Sequence, residues 1–190
     1  MAQLLSPESL GAMKIQFVYF PGYTPVCPTK TIYQFDYWTH IMNEFEFSVS
    51  AHQTQFLWAS AGVSITTAAG YDDVLKKIVT STQLSSYALE MMIYLTEEII
   101  EADKRIMPVN GNATSHDDLL CALSNRYFNG ANLITDTAIE SLFNRLADSV
   151  SYTDRACTPE ELTQVAYLVF IREMAHHLSI QAISMKRGKC

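Results

Sequence analysis

Residues 158–184 read TPEELTQVAYLVFIREMAHHLSIQAIS, and this stretch carries the fold reading. Thr158 offers a hydroxyl to cap a helix, and Pro159 fills the first helical position, where no N–H is needed. Glu161 can reach back to complete a capping box. The spacing predicts a helix running to Ser184, with Lys186, Arg187 and Lys189 behind it, where cations suit the negative end of the helix dipole.

Working outward, the preceding segments repeat the helical pattern. In 131–147, Leu133, Ile134, Ala138, Leu142, Phe143 and Leu146 share a side. Ser115-His116-Asp117-Asp118 supplies a hydroxyl and acids to cap a helix reaching about Phe128, where Asn129-Gly130 breaks it. Between Gln83 and Arg105, Leu84, Tyr87, Ala88, Met91, Met92, Leu95 and Ile99 form a stripe that Pro108 and Gly111 end. A short helix is expected over 71–79, and 62–70 reads as a loop with some extended chain. Phe35, Trp38, Ile41, Met42 and Phe45 recur at helical spacing, and a segment over 51–61 brings Phe56 and Leu57 together with Trp58. Ser6-Pro7-Glu8 suits a helix start, and Ile15 to Phe20 reads as an extended arm. Pro21, Pro25 and Pro28 then forbid regular structure.

The pattern predicts an all-α fold: a helical bundle of four or more long helices with a short extended N-terminal segment. One domain spans 1–190, made of an arm over 1–30, the bundle over 31–185 and a basic tail over 186–190.

Composition narrows the function classes. The 190 residues are 48% hydrophobic but only 17% charged, against about one-quarter charged in ordinary chains. That shortage suits either a large core or faces buried against other subunits. A net charge of −7 with 13 Lys plus Arg argues against coating duplex DNA. No apolar run approaches ~18 residues, so no membrane partner is expected. The opening residues do not resemble a secretory signal. Cysteines at 27, 121, 157 and 190 form no C-x-x-C pair and read as thiols in a reducing, intracellular setting.

The chemistry-bearing residues fall into three groups. Lys104 with Arg105, and Arg126 beside Tyr127 and Phe128, offer cations next to rings that could stack on single-stranded bases. Glu97, Glu98, Glu101 and Asp103 form a crowded acidic patch whose carboxylates, facing one another in an assembly, would couple association to pH or calcium. Glu173-x-x-His176, with His177 adjacent, resembles half of a carboxylate-bridged di-metal site. The second Glu-x-x-His is missing, so the pair reads as solvated or core-edge residues, with no metal or other cofactor. No G-x-S-x-G elbow, Gly-rich phosphate loop or zincin motif is present.

The order of features resembles the coat proteins of rod-shaped plant viruses of the tobamovirus type. Gln16-Phe17-Val18-Tyr19-Phe20 before Gly22-Tyr23-Thr24-Pro25-Val26 is similar to that family's opening. Leu120-Cys121-Ala122-Leu123-Ser124-Asn125-Arg126 looks like the start of its fourth helix, and Tyr152-Thr153-Asp154-Arg155-Ala156 with Tyr167-Leu168-Val169-Phe170 looks like its closing segment. The resemblance implies a four-helix bundle that self-assembles and packages single-stranded RNA. Arg126 would be an RNA contact, and the carboxylates a disassembly switch. The expectation is therefore a non-enzymatic, self-associating structural subunit. The alternatives are a helical adaptor holding a partner helix against Met91 and Met92, and a metal-dependent enzyme around Glu173 and His176.

Overall fold

The computed structural model describes residues 45–78 and 82–186. The expected N-terminal arm and most of the Phe35–Phe45 stripe lie outside the described residues. The elements run β1 (Phe45–Val49), β2 (Thr54–Trp58), a 3₁₀ turn (Ala59–Ala61), β3 (Val63–Thr67), α1 (Tyr71–Ile78), β4 (Gln83–Leu84) and α2 (Ser86–Glu101). They continue with β5 (Gly111–Ser115), α3 (Asp118–Tyr127), β6 (Leu133–Thr135), α4 (Asp136–Val150), β7 (Arg155–Ala156), α5 (Pro159–Leu178) and β8 (Ile180–Met185).

The fold is mixed α/β, which overturns the all-α helical bundle. Six strands form one sheet in the order β3-β2-β1-β5-β8-β6. β1 pairs β5 and β5 pairs β8 in parallel, while β1–β2, β2–β3 and β6–β8 are antiparallel. Alternation decides which face is covered. Phe45, Phe47 and Val49 point into the core with Phe56, Trp58 and Ile65, and the Phe45 and Trp58 rings lie 5.0 Å apart. The opposite face carries Glu46, Ser48, Gln55, Leu57 and Ser64, none of them buried.

α5 is the central helix. Leu162, Ala166, Tyr167, Leu168, Val169, Phe170, Ile171, Met174 and Leu178 are buried, so it is covered nearly all round. Its capping box is formed as the sequence predicts, with both Thr158 and Glu161 side chains engaged. It does not run to Ser184. Ser179 adopts a left-handed conformation (φ 54°) and its amide closes the helix on Ala175 and His176, after which the chain turns into β8. β8 buries Ile180, Ala182 and Ile183 against the core.

The other boundaries move for similar reasons. The expected 131–147 helix splits into β6 and α4, because Thr135 caps Ala138 and starts the helix there. Ser85 caps α2 in the same manner through the Ala88 amide. Asn129 and Gly130 take positive φ (53° and 71°), so that break stands as read. Cys157 is a buried free thiol that burial pushes up from its ordinary pKa, whereas Cys121 takes part in a disulfide.

Candidate functional site

In an open sheet that turns away in both directions from a central strand, ligands bind outside the carboxyl ends of the strands at the reversal. Here the reversal lies between β1, which continues outward to β2, and β5, which leads toward β8. The residues at that edge are bonded into one network. Asp117, just beyond β5, accepts from the Ser48 hydroxyl at 2.7 Å and the Val49 amide at 2.8 Å. It also accepts from the buried Tyr167 hydroxyl of α5 at 2.8 Å, and its own amide donates to Ser115 Oγ at 3.1 Å. Burial, then the Asp117 charge, raises the Tyr167 phenol well above its ordinary pKa, so it stays a donor. Asp117 thus ties strand, loop and helix together.

Around this clasp stand two further groups. Glu46 meets Lys186 Nζ at 2.6 Å and His116 Nε2 at 3.5 Å, so residues from β1, from the loop after β5 and from the end of β8 converge. On the other side, the β1–β2 turn abuts the start of α1. Tyr71 and Asp72 donate their amides to the carbonyls of Ser50 and Ala51. Gly70 is required there, because a Cβ would lie 2.0 Å from the Ser50 carbonyl oxygen. His52 Nδ1 lies 3.0 Å from Asp73 Oδ1. Desolvation would raise the Asp73 carboxyl, but the Gly70 amide and His52 outweigh it and hold its pKa below the ordinary value.

The residues singled out from sequence are distributed differently. Arg126 donates to Glu161 and Gln164, each at 2.8 Å, and lies over the Tyr127 ring at 5.2 Å. Tyr127 also borders a cavity of about 190 Å³ between α3, α4 and α5, floored by Leu123, Leu142 and Leu168. Lys104 and Arg105 follow α2 rather than belonging to it, and Arg105 is chelated by Asp103. The Arg105 side chain draws the Asp103 carboxyl down to about 2.

The acidic patch is divided by its partners. Glu98 accepts from Tyr94 at 2.6 Å, while Glu97 and Glu101 both meet His177. Glu173 is buried against Arg172, and His176 turns to Glu140 on α4 at 3.2 Å. Glu173 and His176, read from the sequence as solvated or core-edge residues, thus take different partners, and it is His177 that shares the neighbourhood of Glu173. The clasp of Ser48, Asp117 and Tyr167 went unread in the sequence. Its only local signal is Ser115-His116-Asp117-Asp118, which reads as a helix cap, and the Asp117 side chain in fact makes no capping bond.

No protein-family model and no curated protein matches the chain. Solved structures do. The chain is similar to the PPX-GPPA enzyme of Aquifex aeolicus at TM-score 0.58 and 9% identity, covering 75% of this chain and 52% of that one. An exopolyphosphatase-like protein matches at TM-score 0.58 and 8% identity over 76% of this chain and 56% of that one. An exopolyphosphatase from Cytophaga hutchinsonii matches at TM-score 0.54 and 10% identity, over 75% and 52%. The chain spans about half the length of these structures, and at such identities the likeness is one of fold.

That fold, of the Ppx/GppA type, overturns the coat-protein resemblance. The self-assembling, RNA-packaging reading falls with it, as do the helical-adaptor and helical metalloenzyme alternatives, since each rested on a bundle the sheet replaces. The expectation of a non-enzymatic protein is likewise corrected, because the fold is one that enzymes use. No described helix is long and apolar enough to cross a membrane.

Proposed function

We propose that this chain forms one lobe of a phosphohydrolase that acts, at the carboxyl edge of its sheet, on a phosphoanhydride carrying its own divalent counter-ion. The observation that carries the reading is the pair of contacts beside the β1–β5 reversal: Ser48 of β1 with Asp117 just beyond β5, and Glu46, level with Thr114 near the end of β5, with Lys186 just beyond β8. The reaction class is an analogy from the structures that share this fold, which are described as an exopolyphosphatase and relatives of one.

Local charge shapes the substrate. Glu46, Asp72, Asp73, Asp117 and Asp118 stand at this edge against Lys76 and Lys186, so a bare polyanion would be repelled. A phosphate chain that arrives as its magnesium complex fits, because magnesium is held by a carboxylate or two together with substrate phosphates. Lys186 and His116 are placed to meet phosphate oxygens. Glu46, partly exposed between them, is placed to orient a water. Asp117 already accepts three hydrogen bonds and serves to position the strand ends.

The test is phosphate release from inorganic polyphosphate and from ATP with magnesium, run beside binding of the same ligands by calorimetry. Release or binding that falls at least tenfold in Glu46→Gln, with the fold unchanged by circular dichroism, supports the reading. If the wild-type chain neither releases phosphate nor binds either ligand, the proposal is wrong.

A further inference from the structure

A second cluster lies at the other end of α5. Glu173 and His177 are four residues apart and therefore on one side of the helix. α2 packs across them and adds Glu97, so that one ligand-type atom from each of the three lies within 4.8 Å of the others. His177 is ten residues beyond Tyr167, about 15 Å along the axis at 1.5 Å per residue. The cluster is thus separate from the Asp117 clasp.

Four observations point to a bound dication. First, spacing: bonds of about 2.0–2.1 Å at tetrahedral angles set ligand atoms roughly 3.4 Å apart, and His177 Nε2 lies 3.5 Å from Glu97 Oε1. Second, orientation: the other ring nitrogen, Nδ1, lies 3.2 Å from Glu101 Oε1. A histidine that ligates through one nitrogen and donates the other N–H to a carboxylate is the usual outer-shell arrangement of a metal site. Third, burial: Glu173 is 2% exposed, and its neighbour Arg172 holds Oε1, which fixes the carboxylate and leaves it a second oxygen. Fourth, charge: Glu140 and Glu173 share one permanent cation, Arg172, while Glu97 and Glu101 on α2 face the His177 ring, so carboxylates outnumber permanent cations in this neighbourhood. A dication would supply the counter-charge that this excess of carboxylates lacks.

We infer that Glu97, Glu173 and His177 form a binding site for a single transition-metal dication such as Zn²⁺, with Glu101 orienting the histidine. Imidazole with carboxylates suits Zn²⁺ over the harder Mg²⁺ and Ca²⁺, which prefer all-oxygen sites. The site pins α2 to α5, the helix that carries Tyr167. Three protein ligands leave one tetrahedral position for water or another small ligand.

The experiment uses the full chain, stripped with chelator and titrated with Zn²⁺ at pH 7.5, read by calorimetry, elemental analysis and thermal unfolding. The expected result is one zinc per chain and a raised Tm, with affinity at least a hundredfold weaker in His177→Ala. Glu101 is two-thirds exposed, so Glu101→Gln leaves packing intact, yet it should weaken zinc ten- to a hundredfold as an outer-shell partner. Absence of stoichiometric zinc would mean His177 is an ion-pairing residue only and overturns the site. So would zinc bound equally well by wild type, Glu97→Gln and Glu101→Gln. Phosphate release plays no part in either outcome.

Discussion

Replacing Tyr167 with Phe removes one buried hydroxyl and almost nothing else. Its ring is fully buried, and the hydroxyl donates to Asp117 Oδ2 at 2.8 Å. A hydrogen bond to a charged acceptor contributes about 1.5–3 kcal/mol. Asp117 keeps the Ser48 hydroxyl and the Val49 amide, so the acceptor is not orphaned, and the lower half of that range applies. Tyr167→Phe should therefore cost about 1.5–2 kcal/mol. A domain of this size loses about 2–4 °C of Tm per kcal/mol, so the shift should be about 3–8 °C. Ser48→Ala should cost about 1 kcal/mol, since Ser48, unlike Tyr167, is itself only half-buried. Because both donors meet one carboxylate, the double mutant should show coupling of about 0.5 kcal/mol or more. Urea unfolding of the four proteins measures all three quantities. A Tyr167→Phe protein within about 0.3 kcal/mol of wild type, or strict additivity with Ser48→Ala, would refute the clasp.

Other outcomes follow from particular contacts. Gly70→Ala drives a methyl into the Ser50 carbonyl, so it should cost about 3 kcal/mol or more and show first as lost soluble yield or a collapsed Tm. In the Arg172 network, the guanidinium's hydrogen bond leads the forces that lower the Glu140 carboxyl. A depressed folded pKa contributes stability above the unfolded value and loses it as pH falls through the folded one. The Tm gap between wild type and Glu140→Gln should thus be widest near neutral pH and close in acid; a gap that grows in acid contradicts the pairing. Asp103 should titrate at about 2 by carboxyl NMR and return to the ordinary range in Arg105→Ala.

Local chemistry was legible, and long-range pairing was not. The capping box at Thr158 and the break at Asn129-Gly130 are set by neighbours a few residues away, and both form as read, whereas α3 starts at Asp118 without the side-chain cap expected of Asp117. β5 is Gly-Asn-Ala-Thr-Ser, with only Ala113 apolar, and nothing in it alternates strongly enough to read as a strand. It becomes one because β1 and β8 supply backbone partners 60 to 70 residues away on either side. β8 was concealed by continuity: Ile180, Ala182 and Ile183 extend the apolar run of α5, and the break is a single Ser179 in a conformation serines seldom adopt. With β6 and β8 read as helix, the bundle followed, and the coat-protein resemblance with it.

The sites divide along the same line. Glu97, Glu101, Glu173 and His177 stand out in the sequence because like residues crowd together. Only the packing of α2 on α5 shows that His177, and not His176, completes the group. Asp117 looked like an ordinary cap because its three donors, Ser48, Val49 and Tyr167, lie 50 to 69 residues away.

The central claim is that the carboxyl edge of β1, β5 and β8 is where substrate binds. Amide chemical-shift mapping on the ¹⁵N-labelled chain, titrated with magnesium polyphosphate, tests it most directly. The account predicts shifts concentrated at Glu46 to Gln53, Ser115 to Leu119 and Lys186, with Glu97 and His177 unmoved. Shifts confined to the cavity beside Tyr127, or none at saturating ligand, would contradict it.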